Sequence, residues 1–399
     1  MLKPAGAACN LTCDYCYYKE KSLLYKTGEH SSQWMSEELL ERFIREYLEA
    51  QSMHEVLFIW HGGEPLLRPL SFYRKAVQLQ CRYANGRHID NCIQTNGVLL
   101  NDEWCRFLKD NNWLVGISID GPEELHDAYR RTRKGYPTFE EVMRGIALLD
   151  QYGVEWNAMA VVNNLTAERP LDFYRFFREI GCNYIQFTPV VERIRQHADG
   201  RTLAHPDEPN CCPMTPHSVN PQQWGNFLCT LFDEWVAKDV GKCFIQLFDA
   251  TLANWAGVPP GICSMSAHCG HAAAMEYNGD VYACDHYVFP EYKLGNLYTH
   301  TLTEMLYSEQ QMDFGRMKQS KLPDQCRQCK YLFACHGECP KNRFCTTANG
   351  EPGLNYLCPG YYRFFTHAAP YIDYMKLMLD QGLPPAKVME QVGFIKRKS

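Results

Sequence analysis

Three cysteines near the start of the chain, Cys9-x3-Cys13-x2-Cys16, have the spacing that most directly implies chemistry. Thiolates this close together in one loop can hold three corners of an iron–sulfur cube, and a four-iron cluster ordinarily takes four cysteine ligands. Three protein ligands leave one iron open to bind something else. The alternative is a zinc site or unliganded thiols. Structural zinc wants four closed ligands, and the nearby sequence supplies no obvious fourth His or Cys. Two further constellations lie far downstream: Cys263-x5-Cys269 followed by Gly279-x4-Cys284, and Cys326-x2-Cys329-x5-Cys335-x3-Cys339 followed by Cys358. These eight thiols suffice for two four-ligand clusters. They suffice equally for two zinc ribbons, because paired CxxC-like spacings bind either.

Other residues carry weaker signals. Gly62-Gly63-Glu64-Pro65 closes an apolar run; two glycines let backbone approach a ligand closely, and Glu64 offers an acceptor to an ammonium group. Ser118 ends another apolar run. Arg130, in His126-Asp-x-x-Arg130, can pair with a carboxylate, or it is a solvated member of the group Arg130, Arg131 and Arg133. Cys92, Cys182 and Cys229 fall in apolar patterns and read as core thiols. Cys211-Cys212 has no partner pair nearby and reads as unliganded, and Cys345 sits among ligand cysteines with its role open.

These residues need a scaffold. The chain has 399 residues, 46% hydrophobic and 22% charged, with a net charge of −6, which fits a globular protein of two or three domains. The acidic balance argues against a nucleic-acid surface, and no apolar run is long enough to predict a transmembrane helix. The first residues lack the apolar core of a secretory signal. Twenty cysteines in a reducing, cytoplasmic setting point to metal binding or catalysis rather than disulfides. Apolar runs at Leu2–Pro4, Val56–Trp60, Ile89–Thr95, Trp113–Ile119, Val154–Val162 and Tyr184–Val191 end in turn residues and read as buried strands. Between them lie helical patterns: one capped by Ser36 with a stripe from Leu39 to Leu48, one opened by a Thr138–Glu141 capping box and stopped at Gly153, and one over Leu171–Ile180. Strand–helix alternation predicts a parallel sheet. Six βα units fall short of a closed eightfold barrel, so the expected fold class is α/β, a partial (β/α)6 barrel, with function gathered at the C-terminal strand ends. Residues 195–219 lack periodicity and read as a lid or mobile loop; a helix follows over Pro221–Lys238. The expected domains are 1–240 for the barrel, 241–370 for a cysteine-rich domain and 371–399 for a helical tail.

The CxxxCxxC loop, with Tyr15 before its last cysteine, resembles the signature of radical S-adenosylmethionine enzymes, and the Gly-Gly-Glu-Pro segment resembles that family's next motif. The resemblance implies a first [4Fe-4S] cluster whose open iron chelates S-adenosyl-L-methionine, with Tyr15, Gly63, Ser118, Arg130 and Val191 as cofactor contacts. The C-terminal pattern resembles the SPASM-type domain with two auxiliary [4Fe-4S] clusters, three clusters in all. The family's interleaving implies Cys263, Cys269, Cys284 and Cys339 on one, and Cys326, Cys329, Cys335 and Cys358 on the other. Within that superfamily, Lys3-Pro-Ala-Gly-Ala-Ala-Cys9-Asn10, His126 to Arg130, Ile185-Gln186-Phe187, Asn278-Gly279-Asp280, Cys284-Asp285-His286-Tyr287 and Cys339-Pro-Lys-Asn-Arg-Phe344 are similar to the anaerobic sulfatase-maturating enzymes. That similarity implies oxidation of a Cys or Ser in a sulfatase precursor, within a C/S-x-P-x-R motif, to Cα-formylglycine. It also implies Asp285 as the catalytic base, its pKa raised toward neutrality by burial, and an electron donor such as flavodoxin or ferredoxin. Tyr18 borders the substrate or is packing. Other readings stand beside it: another peptide-modifying radical enzyme that makes a thioether or carbon–carbon crosslink, a multi-cluster electron-transfer protein, and a zinc-based interaction module.

Overall fold

A computed structural model describes residues 1–25, 34–197, 200–208, 212–270 and 272–398. In chain order its strands include β1 (Leu2–Lys3), β2 (Glu55–Trp60), β3 (His88–Thr95), β4 (Leu114–Ser118), β5 (Trp156–Val162), β6 (Tyr184–Pro189), β7 (Ile194–His197), β8 (Gly200–Leu203), β9 (Phe244–Ile245), β10 (Ala274–Glu276), β11 (Asp280–Tyr282) and β12 (Lys293–Asn296). The first six lie within two residues of the apolar runs that predict them.

The chain folds as two compact units, each built from separated segments. The first comprises Met1–Ile119, His126–Asn157 and His271–Gly315. Its strands run in the order β12-β11-β10-β1-β2-β3-β4. From β10 through β4 neighbours are parallel, with Leu2 opposite both Met275 and Trp60. β11 and β12 add an antiparallel edge. Trp60 and Trp113 stack at 5.9 Å in the core. Helix Glu37–Glu49 buries Leu39, Leu40, Phe43, Ile44 and Leu48 and is capped by the Ser36 hydroxyl, which accepts from the Leu39 N–H. The expected Thr138–Glu141 capping box does not form. The Asp127 carboxylate takes the Thr138 and Phe139 amides at 2.7 and 3.0 Å, which leaves the Thr138 hydroxyl to donate to the Arg130 carbonyl at 2.9 Å. The helix stops at Gly153, whose φ of +65° favours glycine.

The second unit comprises Asp120–Leu125, Ala158–Gly270 and Arg316–Ser399. It carries β5-β6-β9, all parallel, and helix Pro221–Lys238, opened by an Asn220–Gln223 capping box. The aperiodic stretch after 193 is not a plain loop. β7 and β8 form an antiparallel hairpin, and Arg193, 4% exposed, donates to the carbonyls of His205, Pro206 and Glu208. Buried polar anchoring replaces the apolar periodicity that sequence reading looks for. Residue 211, one of the paired cysteines there, lies outside the described residues. Among the described residues no helix is long and apolar enough to cross a membrane.

Candidate active site

The loop after β1 is held by backbone. Gly63 N–H donates to the Gly6 carbonyl and Glu64 N–H to the Ala8 carbonyl, both at 2.8 Å. The Gly-Gly turn therefore lies directly on the run into Cys9. The fit is so close that a Cβ on Gly63 would stand 2.1 Å from the Ala8 oxygen. On its far side the loop pairs with the segment that carries Arg130: Thr12 N–H meets the Arg131 carbonyl and Asp14 N–H the Tyr129 carbonyl, at 2.8 and 3.1 Å. A cleft of about 360 Å³ results, lined by Cys9, Cys13, Cys16, Gly62 and Gly63 among others.

Arg130 is 7% exposed and lies over the Tyr15 ring at 5.7 Å, so it is not a solvated arginine. Burial pushes the Cys9 thiol up to about 11, and Arg130 opposes that shift at both Cys9 and Cys16. The Arg130 cation works toward the thiolate, the form that binds iron, against burial, which favours the thiol. Among the described residues no three His, Cys, Asp or Glu side chains converge on a single-ion site. Cysteines that each bind a different iron of one cube stand further apart than ligands of one ion. The three thiols around one cleft, beside a cation and an interlocked backbone, thus fit a cluster with room for a further ligand. Ser118 ends β4 and is buried; Val191 follows β6 in the second unit and is 3% exposed.

Glu64 is placed differently from its sequence reading. Its carboxylate is fully buried and accepts from the Leu66 N–H, the Thr95 hydroxyl and the Asn96 N–H at 2.9, 2.7 and 2.8 Å. It ties the turn to the end of β3 rather than offering itself to an ammonium group. Burial raises it to about 7.

Asp285 directly follows Cys284 after the β10–β11 hairpin. Its carboxylate pairs with the Lys3 ammonium on β1 and accepts from the Tyr17 hydroxyl. Lys3 has no solvent exposure and also lies over the Tyr18 ring at 3.3 Å. Burial alone would raise the Asp285 pKa, as expected from sequence. The Lys3 ammonium overrules it and holds the carboxyl well below the usual carboxylate range. Asp285 is therefore ionised throughout the physiological range. Burial and nearby Lys3 push His61 down to about 4, so its imidazole is neutral; its Nδ1 accepts from Gly62 N–H at 2.7 Å. Tyr18 packs with Ala274, Tyr282 and Val288, and its hydroxyl donates to Glu276. Lys3, Tyr17 and His61 were not singled out by sequence. A lysine inside an otherwise apolar first strand was the available signal.

In the second unit Cys326, Cys329, Cys335 and Cys358 come together. Burial raises Cys335 to about 12, with Glu338, Cys358 and Cys326 adding to it, and Cys358 is raised by burial and then by Cys326, Cys329 and Cys345. Cys345 stands beside this set. Cys263 and Cys269 are likewise neighbours, and Lys318 is acted on by both Cys269 and Cys339.

Residues 4–177 match the Radical SAM superfamily, and residues 268–330 match an iron-sulfur cluster-binding domain, SPASM. Fold and cysteine loop define a radical S-adenosylmethionine enzyme with a C-terminal domain that implies further [4Fe-4S] clusters. The chain is 64% identical, over 98% of its length and 94% of the relative's, to a serine-type anaerobic sulfatase-maturating enzyme of Bacteroides thetaiotaomicron. It is 32% identical to a cysteine-type enzyme of Clostridium perfringens over 93% of this chain and 96% of that one. A solved structure of native anSMEcpe with bound AdoMet and Kp18Cys peptide superposes with a TM-score of 0.81 at 30% identity, covering 94% of this chain and 98% of that one. The chain belongs to the anaerobic sulfatase-maturating enzymes.

Proposed function

We propose that this chain oxidises a serine or cysteine of a sulfatase precursor, in a C/S-x-P-x-R context, to Cα-formylglycine, with serine favoured by the 64% identity to a serine-type relative. Cys9, Cys13 and Cys16 would hold the first cluster, and Tyr15, Gly63, Ser118, Arg130 and Val191 would border S-adenosylmethionine. Bound there, cluster and cofactor supply a carbon radical able to take a hydrogen atom from the substrate Cβ. The observation that carries the reading is the Tyr17–Asp285 hydrogen bond. Tyr17 follows Cys16 directly, so the cluster loop and an ionised carboxylate are tied together. Once Cβ has lost a hydrogen atom, its hydroxyl is a far stronger acid than an alcohol, and Asp285, ionised but with its basicity lowered by Lys3, would take that proton on the strength of the radical's acidity. Tyr17 and Lys3 fix that carboxylate in place. Cys263, Cys269, Cys284 and Cys339, and separately Cys326, Cys329, Cys335 and Cys358, would hold the two auxiliary clusters. A small electron carrier such as flavodoxin or ferredoxin would serve as reductant, in the cytoplasm, without nucleic acid or membrane.

The test is anaerobic incubation of the reconstituted protein with S-adenosylmethionine, reductant and a Ser-x-P-x-R peptide, followed by mass spectrometry. The expected product is lighter by two hydrogens and reacts with an aldehyde-specific hydrazide. A crosslinked peptide at normal 5′-deoxyadenosine yield would overturn the assignment in favour of a crosslinking maturase.

A further inference from the structure

Two cations lie inside the cysteine-rich part of the second unit. Lys318 has no solvent exposure. Among the described residues its hydrogen-bond partners are two carbonyls, of Cys263 at 2.5 Å and Ser264 at 2.7 Å. Arg343 donates to the carbonyls of Lys318, His336, Gly337 and Glu338 at 2.5–2.9 Å. The buried carboxylate nearby is Glu338, which accepts from Asn342 at 3.2 Å and Asn355 at 2.8 Å. Among the described residues a wholly buried Lys318 and a part-buried Arg343 thus surround the buried Glu338 carboxylate, and an uncompensated buried charge is costly. The missing negative charge is available from the cysteines. Cys269 and Cys339 act on Lys318, and Cys326, Cys335 and Cys339 act on Arg343. Deprotonated by ligation to iron, these thiols belong to centres that become more negative by one charge on reduction. Net charge and hydrogen bonding around a cluster set its reduction potential.

We propose that Lys318 is a potential-setting residue for the auxiliary cluster held in part by Cys263, Cys269 and Cys339. Its fixed positive charge stabilises the reduced form of that cluster. Converting a serine side chain to an aldehyde removes two electrons and two protons. One electron and one proton leave together as the hydrogen atom taken from Cβ, and the second proton goes to Asp285. The second electron needs an acceptor, and Lys318 biases this auxiliary cluster toward its one-electron-reduced state. The proposal rests on the cysteine assignment made above, and not on the sulfatase substrate.

The experiment uses the full chain with Cys9, Cys13 and Cys16 replaced by Ala, so that only auxiliary clusters report. After anaerobic reconstitution, iron content and an electron-paramagnetic-resonance redox titration are measured. Lys318→Met should keep the parent's iron. At a fixed poise it should lower the reduced-to-oxidised ratio of one auxiliary signal about tenfold, equivalent to ~59 mV for a one-electron couple. Lys318→Arg, which keeps the charge, should stay within about twofold of the parent. An unmoved potential in an iron-replete Lys318→Met protein overturns the proposal. So does loss of auxiliary iron from Lys318→Met and Lys318→Gln alike, which would make Lys318 a clamp on the Cys263 carbonyl. A parent chain that takes up no auxiliary iron would remove the cysteine assignment and the proposal with it, whatever the peptide assay reads.

Discussion

Asp285→Asn separates the role of Asp285 as base from its role as partner of a buried cation. Lys3 is wholly buried and the Asp285 side chain is 15% exposed. Removing one partner of such a pair strands the other charge and costs roughly 3–5 kcal/mol. The Tyr18 ring beneath the ammonium offsets part of that, by about 2 kcal/mol at a desolvated site, so the expected loss is roughly 1–3 kcal/mol. Lys3→Met alone should cost a similar amount, because His61 and His286 are poor substitutes for a lysine. In the double variant both charges are gone, and a neutral, well-filled pair is close to neutral in stability. The double variant should therefore be more stable than either single one. Formylglycine should behave differently. It falls roughly 10²–10⁴-fold in Asp285→Asn, the usual effect of losing a general base, and does not return in the double variant, while 5′-deoxyadenosine is still made. The assays are denaturant unfolding of the four proteins, and chromatography plus peptide mass spectrometry of their products. Additive destabilisation would refute the pairing argument, and an undiminished formylglycine yield in Asp285→Asn would move the base elsewhere.

Gly63→Ala places a methyl 2.1 Å from the Ala8 oxygen. The overpacking should cost ~1–3 kcal/mol, and a shift of about 1 Å in the cysteine loop should cut S-adenosylmethionine cleavage roughly 10²-fold; a wild-type cleavage rate would contradict the interlock. Replacing Cys9, Cys13 and Cys16 together by Ala should abolish cleavage while lowering iron from about twelve to about eight per chain, by ligand count; complete loss of iron on analysis would argue against separate clusters. Glu276 is raised by burial from 4.5 to about 7. Its folded pKa lies above its unfolded one, so its contribution is fully present below about 4.5 and is lost as pH rises through 7. Unfolding of the parent should lose roughly 3 kcal/mol between pH about 5 and 8, and Glu276→Gln should lose much less; parallel profiles would count against a buried, protonatable Glu276.

The six early strands and the cysteine loops were legible because their signals are local. Apolar runs end in turn residues, and ligand spacing survives in linear sequence. The contacts that overturned sequence readings are all made at a distance or by competition. Thr138 looks like the start of a capping box, yet Asp127 takes the Thr138 amide that Glu141 would need, together with that of Phe139, and the Thr138 hydroxyl donates to the Arg130 carbonyl instead. Glu64 reads as an open acceptor until Thr95 and Asn96, at the end of the neighbouring strand, occupy it. The pKa of Asp285 cannot be read from its burial, since the group that decides its direction is 282 residues away. β9 to β12 are two to four residues long, too short to carry a period. The hairpin of β7 and β8 is fastened by Arg193, and hydropathy does not register a buried arginine.

The Lys3–Asp285 link also sets an order of events during synthesis. β1 pairs with β2 on one side and with β10 on the other, and its lysine waits for a carboxylate 282 residues later. At ~5–20 residues per second, the ribosome needs about 14–56 s to deliver that partner. Throughout that interval the nascent first strand has one unpaired edge and an uncompensated ammonium, although Cys9, Cys13, Cys16 and the Gly62-Gly63 turn have long since emerged. The β1–β10 seam can therefore close only after the amino-terminal loop has long been made, when Ala274–Glu276 and Asp285 emerge.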